Sequence, residues 1–138
     1  MTTTRTAQDI ANEWAAAWNS ADQSRLAALF TTDGTYTDLA VGKSFEGHAA
    51  ITGFKAGSDA LIADLNLEIL SAFGDDEQLA IESVYSGHFR GAPHAFAVRG
   101  TTTLRMRDEL ILTNTDNYSL TTVLTMSGLP ADWAPESA

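Results

Sequence analysis

Asp33 to Phe54 reads DGTYTDLAVGKSFEGHAAITGF, and the fold follows from how this stretch divides. Thr35-Tyr36-Thr37-Asp38-Leu39-Ala40-Val41 alternates as a strand does. Gly42-Lys43-Ser44-Phe45-Glu46-Gly47 is bounded by glycines and reads as a turn. A helix then opens at about His48, with Ile51 and Phe54 on one face. A period of two puts Tyr36 and Asp38 on the same side of the strand. Aspartate is depleted in strands and costly to bury without a partner, so that face is the first candidate for chemistry.

Upstream, Thr3 to Ser20 predicts a helix with Ile10, Trp14, Ala17 and Trp18 as one apolar stripe, and Thr6 with Asp9 resembles a capping box. Asn19-Ser20-Ala21-Asp22 breaks it and leads into a second helix, Gln23 to Phe30, and the helix opened at His48 runs to about Leu61. From Asp64 the pattern changes to strands. Leu65–Phe73, Leu79–Phe89, Ala95–Arg107 and Leu110–Met126 alternate, separated by turns at Gly74–Glu77, Gly91–Pro93 and Asp108-Glu109. Helices gathered at one end of an antiparallel run define an α+β domain. A long meander curls, so the expected architecture is a cone-shaped barrel: a curved, mostly antiparallel sheet wrapped on three N-terminal helices, with an internal pocket. Residues 1–138 form one domain, with a core of about 6–129 and tails at 1–5 and 130–138, the second bearing Trp133 as an anchor.

Composition removes several function classes. The 138 residues carry 44% hydrophobic and 19% charged side chains, ordinary for a globular domain of one core. There is no cysteine, which excludes disulfides, thiolate metal sites and thiol catalysis. A formal charge of −10 argues against nucleic acid, whose phosphates need a basic stripe. No window approaches the roughly 18 apolar residues of a membrane span, and MTTTRTAQDI has no apolar core of a signal peptide. The expected address is the cytoplasm.

Specific residues carry a resemblance across about Thr6 to Leu129. These are Trp14-x-x-x-Trp18-Asn19, Asp22-x-x-x-Leu26-x-x-Leu29-Phe30, Asp33-Gly34-x-Tyr36-x-Asp38 and Phe45-x-Gly47-His48-x-x-Ile51, then Val98-Arg99-Gly100, Leu104-Arg105 and Asp116-x-Tyr118. The chain resembles the nuclear transport factor two-like, or ketosteroid isomerase-like, superfold, and within it the SnoaL-like polyketide cyclase group. Members of the superfold act as cyclases, isomerases, dehydratases, epoxide hydrolases or binding modules, so the resemblance implies the fold more narrowly than the reaction. It also implies a homodimer through the sheet. Asp38 matches the proton-shuttling aspartate of the isomerases. Their oxyanion hole, a helix tyrosine and a strand acid, corresponds here to Trp14 and Thr103, neither of them an acid. Of the Asp-Arg-Asp set of the epoxide hydrolases only Asp116 matches, with Ser83 and Tyr85 at the other two positions.

Asp38, Asp116 and Tyr36 are therefore the candidate catalytic residues. Asp38 facing an apolar cavity has its pKa raised and suits a general base; the alternative is a strand-end aspartate bonded to the Gly42 turn. Asp116 shares a face with Tyr118, and a second carboxylate on the cavity would make an acid/base pair; the alternative is an exposed aspartate at a sheet edge. Tyr36 or Tyr85 would polarise an oxygen. Trp14, Trp18, Phe54, Ser83, Tyr85, Thr103 and Tyr118 are the expected ligand-binding residues, the tryptophans being first of all packing. His48 reads as an exposed first-turn residue, His88 and His94 as loop residues rather than metal ligands, and Arg99 as a cross-strand partner of Glu82 or Asp116. The expected function is a cofactor-independent acid/base enzyme on a small apolar oxygenated ring compound. The alternatives are a non-catalytic small-molecule-binding domain and a protein-interaction module. No metal, nucleic-acid or membrane partner is expected.

Overall fold

The computed structural model describes residues 5–135. Thr3, Thr4 and the outermost tail positions of the sequence-based reading lie outside them. The first helix, α1 (Ala7–Trp18), starts where the capping box predicts. Thr6 Oγ1 accepts from the Asp9 amide at 3.1 Å, and the Asp9 carboxylate accepts from the Thr6 amide at 3.0 Å. Its stripe of Ile10, Trp14, Ala17 and Trp18 is buried. Asn19, just past its end, bonds both the amide and the carbonyl of Leu67, at 2.8 and 3.0 Å, and so pins the helix to the sheet.

The second helix is shorter than expected. It stops after one turn, α2 (Ser24–Ala27), and Phe30 already belongs to the first strand, β1 (Phe30–Asp38). Pairing wins over helical pattern here, because the Leu29 carbonyl accepts from the Ile111 amide at 2.8 Å and Phe30 aligns with Ile111. The register of β1 then shifts between Phe30 and Thr35. Gly34 sits in this bulge, where a Cβ would lie 3.0 Å from the Ile111 carbonyl oxygen. Beyond it, Tyr36 and Asp38 both point inward.

The glycine-bounded turn proves to hold a short strand, β2 (Lys43–Glu46), antiparallel to β1 with Tyr36 opposite Phe45 and Asp38 opposite Lys43. Gly47, at φ 87°, turns the chain into α3 (His48–Leu61), the helix expected there. The meander follows as β3 (Ile62–Gly74), β4 (Gln78–Phe89), β5 (Phe96–Arg107) and β6 (Leu110–Tyr118). The expected last strand to Met126 ends early. Ser119 caps a further helix, α4 (Leu120–Ser127), by accepting from the Thr122 amide at 3.1 Å, and Gly128 closes it at φ 76°. Leu120, Val123, Leu124 and Ser127 follow a helical period, which the β-branched threonines around them obscure.

The six strands form one curved, unclosed sheet in the order β2-β1-β6-β5-β4-β3, antiparallel except where β1 runs parallel to β6. This is the α+β architecture expected. Its inner face packs on α1 and α3 through Trp14, Trp18, Tyr36, Ile51, Ile81 and Leu104. A second apolar cluster, with Phe89, Phe96, Val98 and Val123, closes the other end, and Trp133 anchors the tail on Phe89 with ring centroids 5.0 Å apart. Among the described residues no helix is long and apolar enough to cross a membrane.

Candidate functional site

Between the two clusters the inner face carries a band of polar groups, placed there by register. Asp38 and Asp116 are opposite one another on the parallel strands β1 and β6, and Thr102 on β5 stands opposite Asp116. The two carboxylates thus share one face, and each has a tyrosine. Tyr36 donates its hydroxyl to Asp116 Oδ2, and Tyr118 donates to Asp38 Oδ2 at 3.0 Å. Asp38 also accepts from the Val41 amide at 3.2 Å, so it does bond into the turn after β1 while remaining buried. Asp116 Oδ1 accepts from Thr102 Oγ1 at 2.7 Å and from Asn114 Nδ2 at 2.9 Å.

Burial raises both acids. The Asp38 carboxyl is pushed above the usual carboxylate range by desolvation, which the Val41 amide and the Tyr118 hydroxyl partly offset. Asp116 is pushed up to about 6 by desolvation against the opposing pull of Tyr36, Thr102 and Asn114, with the charge of Asp38 adding to the rise. Asp116 can therefore exchange a proton near neutrality, and the Asp38 carboxyl is shifted in the same direction. The phenols of Tyr36, Tyr85 and Tyr118 are raised by burial and by the neighbouring carboxylates, so they stay protonated as hydrogen-bond donors. No ion pair among the described residues involves either carboxylate. Lys55, a buried cation, is held by Asp59 at 2.5 Å and the Ser20 carbonyl at 3.2 Å, with its ammonium 5.6 Å from the Trp18 ring centroid.

The remaining candidates divide. Tyr85, Tyr118 and Ser83 face the band; Tyr85 packs edge-on against Tyr118 at 5.2 Å and Phe96 at 4.9 Å, and its hydroxyl makes no hydrogen bond among the described residues. Trp18 and Phe54 wall Tyr36 at 5.8 and 5.1 Å. Trp14 is not free to meet a ligand, because its indole N–H donates to Asn114 Oδ1 at 2.8 Å. Thr103 is a correction. It is exposed on the outer face, opposite Ala80 and Thr115, and the inward hydroxyl is that of Thr102, one residue earlier. In a strand one residue reverses the face. Arg99 is likewise exposed on the outer face, away from Asp116. His48 is exposed with Nε2 2.9 Å from the Phe30 carbonyl oxygen, and His88 Nε2 lies 2.8 Å from that of Ala92. Among the described residues no group of His, Asp and Glu is arranged to hold a metal. Thr102 and Asn114 escaped the sequence-based reading. Asn114 shares the parity of Asp116 on β6 and Thr102 that of Val98 and Leu104 on β5, and this alternation was the available signal.

This chain belongs to the SnoaL-like domain family, which matches residues 11–114. Among solved structures it is similar to a hypothetical protein of ketosteroid isomerase-like fold from Catenulispora acidiphila, determined in complex with trimethylamine. The two are 45% identical with a TM-score of 0.91, over 94% of this chain and 100% of that one. A Shewanella putrefaciens protein named for a SnoaL-like polyketide cyclase shares the fold at 14% identity and TM-score 0.77, over 88% and 96% of the two chains. A nuclear transport factor two-like protein of Burkholderia thailandensis does so at 17% and 0.75, over 91% and 99%. No functionally curated protein matches the chain.

Proposed function

We propose that the chain is a cofactor-independent acid/base enzyme of cyclase, isomerase or dehydratase type, acting on a small, apolar, oxygenated ring compound. The observation that carries this is the pair of carboxylates, Asp38 buried and Asp116 half-buried, facing each other across β1 and β6, each bonded to a tyrosine and neither neutralised by a cation. Asp38, as the carboxylate, takes a proton from the carbon beside a carbonyl. The Tyr85 hydroxyl, uncommitted, donates to the oxygen that becomes the enolate. In an isomerisation Asp38 returns the proton at another carbon. In a cyclisation the enolate carbon bonds to a second carbonyl, and protonated Asp116 supplies the proton to the new alkoxide. Asp38→Asn on ring ketones and polyketide esters tests this: kcat falls by about two to four orders of magnitude at unchanged binding. Unchanged turnover would remove Asp38 from the mechanism.

A second function, binding without chemistry, is favoured by one observation. The relative at 45% identity was determined with trimethylamine, and a site of carboxylates and aromatic rings suits a small organic ammonium ion. Trimethylammonium titrated calorimetrically at pH 8 would then bind wild type and lose affinity in Asp38→Asn, with no product formed from any bound compound. We further propose a homodimer through the outer sheet face, where Leu70 and Phe73 are exposed.

A further inference from the structure

Asn114 is fully buried, and its hydrogen bonds leave it one orientation. The Trp14 indole is a donor only, so the Asn114 atom 2.8 Å from it must be the amide oxygen. The amide nitrogen is therefore the atom turned to Asp116 Oδ1, at 2.9 Å. A flipped amide would set N–H against N–H at one end and carbonyl against carboxylate at the other. Thr102 donates to the same Oδ1 at 2.7 Å. One oxygen of Asp116 is thus occupied by two donors, one of which cannot become an acceptor. The other oxygen, Oδ2, meets the hydroxyl of Tyr36, which can donate or accept.

We infer that Trp14 and Asn114 are positioning residues that confine the exchangeable proton of Asp116 to Oδ2, on the side of Tyr36. The inference rests on the acid/base function for its purpose. With the carboxylate charged, Tyr36 donates to Oδ2; with the acid formed, Oδ2–H donates and Tyr36 accepts, so the proton arrives and leaves at one atom. The relay runs from α1 through β6 and ties the acid to a helix that supplies no titratable group of its own to it. The groups that do face Asp116 are Asp38 and Tyr36 from β1, Tyr85 from β4 and Tyr118 from β6, all acids. From α1 come only indoles, and Lys55 of α3 is engaged by Asp59.

Titration by NMR tests this without a substrate, following the Asp116 carboxyl carbon and the Trp14 indole N–H, both assigned by their loss or shift in Asp116→Asn. In wild type the Trp14 resonance is expected to titrate with the Asp116 midpoint, near 6. Asn114→Leu removes one donor to the charged form, so the midpoint moves up by about one unit and the indole stops following it. Trp14→Phe frees the amide to rotate and moves the midpoint up by less. An Asn114 that served packing alone would lower Tm and leave the midpoint in place. An unchanged midpoint in either variant, or a wild-type indole that ignores Asp116, overturns the inference. Failure of every compound to turn over would sink the acid/base function and leave the titration result standing.

Discussion

Replacing Asp116 by Asn is expected to stabilise the protein above pH 6 while removing the acid from the site. The ordinary carboxyl value is 3.8 and burial lifts Asp116 to about 6, a rise of about two units. At about 1.4 kcal/mol per unit this is about 3 kcal/mol, as an upper bound. The sign follows from proton binding: between the two values the folded state holds the proton more tightly than the unfolded chain. The contribution to stability is therefore fully present below 3.8 and is lost as pH rises through about 6. At pH 8 the wild-type fold carries the cost of a half-buried carboxylate that three donors offset only in part and no cation neutralises. Asparagine fits the same partners, its oxygen accepting from Asn114 and Thr102 and its nitrogen donating to Tyr36. Urea unfolding of both proteins at pH 4 and pH 8 isolates the effect, since the exposed carboxylates are common to both. The variant should gain on wild type by up to about 3 kcal/mol between the two pH values. A constant difference between the proteins at both pH values would refute the assignment of a raised acid at this position.

Tyr118→Phe deletes the hydroxyl that helps hold the Asp38 carboxyl down, so the limb of the pH–rate profile that reports the base should move up, by less than about one unit. Thr102→Val leaves Asp116 short of a donor and should cost about 1–3 kcal/mol at pH 8, whereas Thr103→Val, exposed on the outer face, should stay within about 0.5 kcal/mol by the same urea assay. Phe73→Glu should turn the expected dimer into a monomer in sedimentation at micromolar concentration; a wild-type monomer would remove the dimer altogether.

Periodicity made much of the fold legible. The capping box of Thr6 and Asp9, the stripe on α1, the helix from His48 to Leu61 and the inward parity of Tyr36 with Asp38 and of Leu79, Ile81, Ser83 and Tyr85 all follow from local rules of spacing and capping. Those rules are local because each depends on neighbours within a turn or a strand. The tertiary structure decided the rest. It ended α2 at Ala27 because Leu29 and Phe30 are taken by β6, drew β2 out of a glycine turn because β1 offered a free edge, and ended β6 at Tyr118 where Ser119 caps α4. It also placed Asp38 opposite Asp116, gave Oδ1 of that acid to Asn114 and Thr102, and turned Thr103 outward. The pairing of Asp38 with Asp116 depends on register between strands nearly eighty positions apart in the chain, and the partners of Oδ1 on register between β5 and β6. A shift of one residue reverses a face, and no local pattern carries that information.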